Sequence, residues 1–428
     1  MISGTSLLVL FGVLFFCLLI GVPIAFTLGL SGLITILTVG SQFMIQVPLT
    51  LNKTLSEFVF VAIPLYVLMG EILYHGKSGE RIFYLVNSWL SRLRGGTGIA
   101  TVSAYTFFAA IVGSSMASVL TIGKIAIPEM EKNNYKKGVT YGLSAVGGSL
   151  GMLIPPSMGL LLYASLTGVS PSKLFLAGVV PGLLIAGLLA IYVVWQAPKT
   201  VKLPKLENGP EAKANTKDVI KAIPDLLLPV IVLGGIYAGI YSPTEAAAVG
   251  VVYALIISLG LHRSLKIKDF GRILVESTKT TAMLLSIVVG ALVFGSALTL
   301  VGLSDFLASG IENLDVSPWV VLLAMNLIWV VMGFFLECTS ILLITIPMFF
   351  PIIVSLGYDP IWFGIMMMIN MELAVITPPV GMNLFALKTL VPEESMGRII
   401  KGVLPSIAIV VIALILVWLF PNIAIGIL

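Results

Sequence analysis

Charge is what this sequence has least of. Of its 428 residues, 10% are Asp, Glu, Lys or Arg and 58% are hydrophobic. Soluble domains carry about 25% charged residues, so a chain this poor in charge cannot coat its own surface for water. That excludes an ordinary soluble enzyme and puts much of the surface in lipid. Histidine is nearly absent: His75 and His262 are the two in the chain. Neither neighbours a serine-rich segment in sequence, and no His/Cys/Asp group stands at metal-ligand spacing. Cysteine is equally scarce. Cys17 and Cys338 lie in apolar runs far apart, so no disulfide framework can be read. No Lys or Arg precedes the first apolar run and no polar domain follows it, which argues against a removable signal peptide. A nucleotide loop is excluded too. Five residues separate Gly70 from Gly76 before Lys77-Ser78, where the phosphate loop requires four.

Long apolar runs fill the space. Leu7 to Leu37 carries no charge, and a spanning helix needs about 20 apolar residues. The runs do not alternate, so helices rather than a barrel are implied. Crossings are expected at 3–20, 23–39, 57–74, 138–165, 176–195, 225–241, 244–261, 273–300, 361–387 and 403–420. Two further stretches, 97–128 and 318–352, are polar in the middle and read as re-entrant hairpins. With the N-terminus outside, 22 of the 24 Lys and Arg residues fall on the inner side, leaving Lys53 and Lys173 outside. The loop at 301–317 then lies outside with Asp305, Glu312 and Asp315. Basic residues near 77–94 and 263–272 serve topology and lipid headgroups rather than nucleic acid. Residues 80–93 place Ile82, Phe83, Val86, Trp89, Leu90 and Leu93 at helical spacing, which predicts a helix lying on the inner surface. Its mate is expected at Ile267 to Thr278.

The two halves resemble each other at a steady offset. Leu153-Ile154-Pro155-Pro156-Ser157 parallels Ile376-Thr377-Pro378-Pro379-Val380, with the double prolines 223 residues apart. Gly21-Val22-Pro23 parallels Tyr241-Ser242-Pro243, and Gly113 parallels Gly333, each 220 apart. The first half starts outside and the second inside, so the repeat is inverted. Three regions follow: a first repeat at 1–195, a cytoplasmic linker at 196–222 with Pro198, Pro204, Pro210 and six lysines, and a second repeat at 223–428. The expected fold is an all-α polytopic membrane protein with two re-entrant helical hairpins and two broken transmembrane helices. Inverted repeats with broken helices place a substrate site near the bilayer midplane.

The chemistry is expected at the breaks and hairpin tips. A double proline removes backbone donors and leaves carbonyls without intrahelical partners. In a membrane such a gap lines a polar cavity or binds a cation. Around Pro155-Pro156 and Pro378-Pro379 stand Gly147, Gly148, Ser149, Ser157, Thr377, Gly381 and Asn383, and carbonyls and hydroxyls suit sodium. The tips read Val112-Gly113-Ser114-Ser115-Met116-Ala117-Ser118 and Gly333-Phe334-Phe335-Leu336-Glu337-Cys338-Thr339-Ser340. Half-helix N-termini at such tips favour an anionic group. The competing reading is that these serines bond back to their own helices. Glu337 and Glu372 are intramembrane acids and hence functional candidates, against a structural role as paired acids. Glu245 after Ser242-Pro243-Thr244 is explained by helix-start chemistry.

The Pro-Pro-Ser after an apolar run, Gly234-Gly235-Ile236-Tyr237-Ala238-Gly239, Ser242-Pro243-Thr244-Glu245-Ala246-Ala247 and Thr377-Pro378-Pro379-Val380-Gly381 together resemble the large membrane subunit of TRAP transporters, the DctM-like family. The similarity runs over essentially the whole chain and looks nearest to the sialic-acid branch. It implies a sodium-coupled importer of carboxylates in the bacterial inner membrane, working as an elevator with both termini periplasmic. It implies two partners: a small four-helix membrane subunit and a periplasmic substrate-binding protein. The ion-site residues it implies are Ser114, Ser115 and Ser118 with Pro155, Pro156 and Ser157, and Thr339 and Ser340 with Thr377, Pro378, Gly381 and Asn383. The first tip, Gly-Ser-Ser-Met-Ala-Ser, departs from the Gly-Ser-Ala pattern associated with the family. The alternatives are a permease of an ATP-driven complex, an intramembrane enzyme, a passive channel, and C4-dicarboxylate rather than sialic acid as cargo.

Overall fold

The computed structural model describes residues 4–198, 216–303, 306 and 317–428, without the side chains of 53–54 and 216–221. The linker between 199 and 215 and the acids Asp305, Glu312 and Asp315 therefore lie outside the described residues. No strand occurs among those described.

The first half opens with α1 (Gly4–Leu19) and α2 (Ile24–Val39), turned at Gly21 and started by Pro23. A short 3₁₀ turn leads into α3 (Gln46–Leu55), where the sequence reading left a loop. Next come α4 (Val59–His75) and α5 (Ser78–Leu90), which meet at 65°. Helix α5 buries Ile82, Phe83 and Val86 as the spacing predicts, but Trp89 and Leu93 turn outward. Then follow α6 (Gly96–Val112), α7 (Ser115–Lys132), α8 (Lys137–Ser149), α9 (Met158–Thr167) and α10 (Pro171–Gln196).

The second half contains α11 (Thr216–Tyr237), α12 (Pro243–Leu255) with a π turn to Leu261, and α13 (Ile267–Val301). After them come α14 (Pro318–Met332), α15 (Cys338–Ser355), α16 (Pro360–Ile376), α17 (Met382–Leu390), α18 (Met396–Leu419) and the short α19 (Asn422–Ile425). Helix α12 starts on the expected chemistry: Ser242 caps Glu245 N, and the Glu245 carboxylate accepts from Ser242 N at 2.8 Å. Ile267 to Thr278 is not a separate surface helix. It is the first part of the 35-residue α13, because nothing there breaks the helix. At an offset of 220 the counterpart of α5 falls near 298–310, of which 304, 305 and 307–310 lie outside the described residues.

Five helices are long and apolar enough to cross a bilayer alone: Pro171–Gln196, Pro243–Leu261, Ile267–Val301, Cys338–Ser355 and Met396–Leu419. The chain is thus a polytopic all-helical membrane protein. Its helices form two groups. One packs α2 along α13, α4 along α12, and α11 against α5 and α12. Small residues allow the first of these contacts: a Cβ on Gly290 would stand 2.3 Å from the Ala25 carbonyl oxygen. The other group packs α6, α7 and α18 around α8, with α10, α14, α15 and α17 around α16. The groups meet where α5 touches α6 and α7, where α13 touches α15, and where α4 touches α6 and α9.

Polar ties fasten the ends of the helices. Asp225 of α11 is fully buried and takes two hydrogen bonds from Arg81 of α5, Nε to Oδ2 and Nη2 to Oδ1, each 2.9 Å. His262 Nε2 lies 3.0 Å from the same Oδ2. Between α17 and α18, Glu394 accepts from Lys137 Nζ at 2.5 Å and Arg398 Nη1 at 3.4 Å. The Lys137 hydrogen bond holds the Glu394 carboxyl below the usual carboxylate range. A depressed carboxyl stabilises the fold above its unfolded value, about 4.3, and that contribution is lost as pH falls through the lower folded value. Acidification below that range should therefore destabilise the native chain more steeply than a Glu394→Gln variant. Thermal unfolding against pH measures this, and identical acid slopes would refute it.

Candidate functional site

Both double prolines interrupt their helices. Residues 153–157 separate the α8 segment from α9, and 377–381 separate α16 from α17; both Pro-Pro bonds are cis. Among the described residues, no hydrogen bond ends on the carbonyls of Leu153, Ile154, Pro155 and Pro156, or of Pro378, Pro379 and Val380. Oxygens left this way suit a hard cation. The two breaks differ in access. Pro155, Pro156 and Ser157 are buried, whereas Pro379 and Val380 are exposed.

A hairpin tip faces each break. Gly113 ends α6 in the left-handed region, at φ 65°, where a side chain is disfavoured. A Cβ there would lie 3.8 Å from the Pro156 carbonyl oxygen, so the first tip sits directly over the first break. The second tip packs Gly333 against α16, where an added Cβ would meet Ala374 at 2.5 Å. Between this tip and the second break lies a small cavity of roughly 250 Å³, lined by Phe335, Leu336, Glu337, Val380 and Met382 among others.

The central feature is a cavity of roughly 860 Å³. Four half-helix N-termini reach it: Ser114 to Ala117 of α7, Met158 and Gly159 of α9, Cys338 and Thr339 of α15, and Met382 and Asn383 of α17. Helix N-termini carry the positive end of the helix dipole, which favours an anionic group. Glu71, His75, Glu276 and Lys279 of α4 and α13 line the opposite wall. The sequence reading placed Glu71 and His75 at inner helix ends and named none of the four as a site residue, because no break or hairpin tip lies on their helices.

The expected site residues separate into those that point inward and those that do not. Ser114 caps its own helix, accepting from Ala117 N, and Ser118 Oγ donates to the Ser114 carbonyl at 2.8 Å. Ser157 caps α9 and donates to the Met152 carbonyl, and Thr377 Oγ1 donates to the Leu373 carbonyl at 2.5 Å. These hydroxyls bond back to local backbone. Gly147 and Gly148 serve packing: added Cβ atoms would meet Tyr105 at 2.6 Å and Val119 at 2.3 Å. Asn383 lines the cavity together with Thr339 of the second tip, and its amide is bonded to the first half. It accepts from Ser115 Oγ and donates to the Ala145 carbonyl, both at 2.8 Å, joining the second break to the first hairpin and α8. The backbone of the first half reaches these groups because Gly148 lets α7 and α8 come close. At the second tip, Ser340 Oγ donates to Glu337 Oε1 at 3.4 Å beside Thr339. Glu372 is fully buried with neither carboxylate oxygen hydrogen-bonded, and it stands outside the cavity lining.

The comparisons with known proteins fit this arrangement. Residues 11–423 match the family model described as the tripartite ATP-independent periplasmic transporter, DctM component. The C4-dicarboxylate TRAP transporter large permease protein DctM of Pseudomonas aeruginosa is 39% identical over 400 residues, covering 94% of this chain and 93% of that protein. The sialic acid TRAP transporter large permease protein SiaM of Vibrio cholerae is 33% identical over 407 residues, covering 94% and 93%. In fold, the chain resembles the crystal structure of the Alcanivorax borkumensis YdaH transporter, with TM-score 0.61, 16% identity and 90% of each chain covered. These relatives are transporter permeases and not enzymes, so the intramembrane-enzyme alternative falls. The ATP-driven alternative falls with the family's ATP independence. The chain belongs to the DctM-component family of tripartite ATP-independent periplasmic transporters.

Proposed function

We propose that this chain is the large permease subunit of a sodium-coupled importer of organic acids, with C4-dicarboxylates the favoured cargo. The observation that carries the reading is the convergence of four half-helix N-termini on one cavity. Such a pocket attracts carboxylates, and Lys279 adds a cation to its lining. The unpaired carbonyls of the two breaks supply sodium ligands. Glu337, with Ser340 and Thr339 beside it, adds a carboxylate at the second. Sodium bound there neutralises the pocket after the anion enters and lets the group containing α6–α10 and α14–α18 move as an elevator carriage against α2, α4, α12 and α13. In this reading the polar-centred helix pairs α6–α7 and α14–α15 are re-entrant hairpins of an inverted repeat, and both termini are periplasmic in an inner membrane. A small membrane subunit and a periplasmic binding protein complete the system. The cargo assignment moves from sialic acid toward C4-dicarboxylate, because the DctM relative is 39% identical and the SiaM relative 33%.

The test is uptake into proteoliposomes containing this chain with its small subunit and loaded binding protein. An inward sodium gradient without ATP should drive accumulation of a C4-dicarboxylate, and replacing sodium by potassium should stop it. Equal uptake in potassium would overturn the coupling. Accumulation of sialic acid but no dicarboxylate would overturn the cargo.

A further inference from the structure

The wall of the cavity opposite the hairpin tips holds a group of side chains that the transport reading does not use. Glu71 and His75 stand one turn apart on α4, and Glu276 faces them from α13. His75 Nε2 lies 3.2 Å from Glu276 Oε2, and His75 Nδ1 lies 3.5 Å from Glu71 Oε2. One nitrogen of His75 and one oxygen of each carboxylate all lie within 4.8 Å of one another. Ligands bound tetrahedrally at 2.0–2.1 Å stand about 3.4 Å apart. The closest pair, His75 Nε2 and Glu276, is therefore already at the edge length of a zinc-type coordination shell; His75 Nδ1 faces the Glu71 carbonyl at 3.2 Å, and the Glu71 carboxylate completes the shell by turning from Nδ1 toward the metal at Nε2.

The ion pairs on the page do not account for the group by themselves. One imidazole faces two carboxylates, so at most one positive charge meets two negative ones. The other cation near Glu276 is Arg272, 3.8 Å away with an exposed side chain, and such a contact contributes little. Lys279 also borders the cavity, one turn along α13 from Glu276. The side chains of Glu71 and His75 are mostly covered, at 27% and 15% exposure, while their polar ends open to the cavity. Three protein ligands with water access at the remaining positions describe an open transition-metal site rather than a closed structural one.

We propose that Glu71, His75 and Glu276 form a site for a divalent transition metal of the zinc class, bridging α4 and α13 at the cavity wall. A neutral imidazole and two carboxylates select such a metal over magnesium or calcium, which take all-oxygen shells. The inference does not depend on the cargo or on sodium coupling. Bound metal would cancel two carboxylate charges on the cavity wall and would add a coordination link between α4 and α13, which already pack together.

Calorimetric titration of the purified full-length chain with zinc chloride, and separately with magnesium chloride, tests this. One zinc per chain should bind with micromolar affinity and magnesium should not compete. His75→Ala and, independently, Glu276→Gln should each weaken zinc binding by at least roughly tenfold, the scale of losing one ligand or its support. Glu276 is 42% exposed, so its substitution tests the site even where the His75 variant unfolds. Cys338→Ser should leave binding intact; loss of zinc in that variant alone would relocate the metal to the second hairpin tip and overturn the assignment. Absence of binding in the native chain, or unchanged binding in both site variants, would overturn it equally.

Discussion

Arg81→Met is expected to be among the most destabilising single changes in this chain, lowering unfolding free energy by about 3–5 kcal/mol. The reason is the environment of Asp225. Its side chain has no exposed surface, and the two 2.9 Å hydrogen bonds from Arg81 satisfy both carboxylate oxygens. Arg81 also donates to the Gly76 carbonyl at 2.7 Å and to Ser78 Oγ at 3.0 Å, so it closes the 65° bend between α4 and α5 as well. Removing it strands a buried charge with His262 alone. Arg81→Lys should recover only part of the loss, because an ammonium cannot make the fork-shaped pair. Asp225→Leu on its own should cost less than Arg81→Met, since Arg81 is partly exposed and keeps its other acceptors. The double variant should be more stable than Arg81→Met alone, and the cycle gives the coupling directly. Denaturant unfolding of the detergent-solubilised protein measures all four variants; an Arg81→Met variant within about 0.5 kcal/mol of the native chain, the range of an ordinary surface change, would refute the argument.

Asn383→Ala should abolish transport more completely than any other single hydroxyl or amide change at the breaks. Its amide is fully buried and is the joint between three elements: Ser115 Oγ of α7 on one side, the Ala145 carbonyl of α8 on the other, and α17 beneath. Truncation leaves the buried Ser115 hydroxyl without this partner, at about 1–3 kcal/mol, and removes the second donor to the Ala145 carbonyl. The functional loss should exceed the stability loss, because two of the four N-termini that form the pocket are held in register by this amide. Misplacing them by an ångström costs about 10²-fold in a positioned process. Ser115→Ala removes one of the two bonds and should lie between Asn383→Ala and the native protein. Ser118→Ala, which removes only a bond to the Ser114 carbonyl of its own helix, should stay near native. Initial uptake rates normalised to folded protein decide the order, and an Asn383→Ala rate within threefold of native, less than about 1 kcal/mol, would remove Asn383 from the site.

The double prolines were legible from sequence because their consequence is local. Two consecutive rings remove two backbone donors, and the breaks at 153–157 and 377–381 lie at the double prolines, whereas single prolines such as Pro64, Pro181 and Pro405 sit inside continuous helices. The helix spans were legible for the same kind of reason, since apolar length is set by the bilayer. The side-chain partners of Asn383 were not legible. The resemblance groups it with the second tip, whose Thr339 shares its cavity, and the fold bonds its amide to Ser115 and Ala145 of the first half. Serines at the first tip looked alike in the sequence. Only placement separates Ser115, which reaches across to α17, from Ser114 and Ser118, which turn back on α7.

By itself, then, the order of residues determined a lipid-embedded bundle of helices, its two interruptions and its polar-centred helix pairs, because each follows from contacts within about 20 neighbouring residues. The tertiary structure alone decided which N-termini share a cavity, that Asp225 meets Arg81 across 144 positions, and that Glu276 meets His75 across the wall of that cavity. Those pairings arise when helices distant in sequence pack together, and side-chain hydrogen bonds and charges act over a few ångströms of space regardless of their separation along the chain.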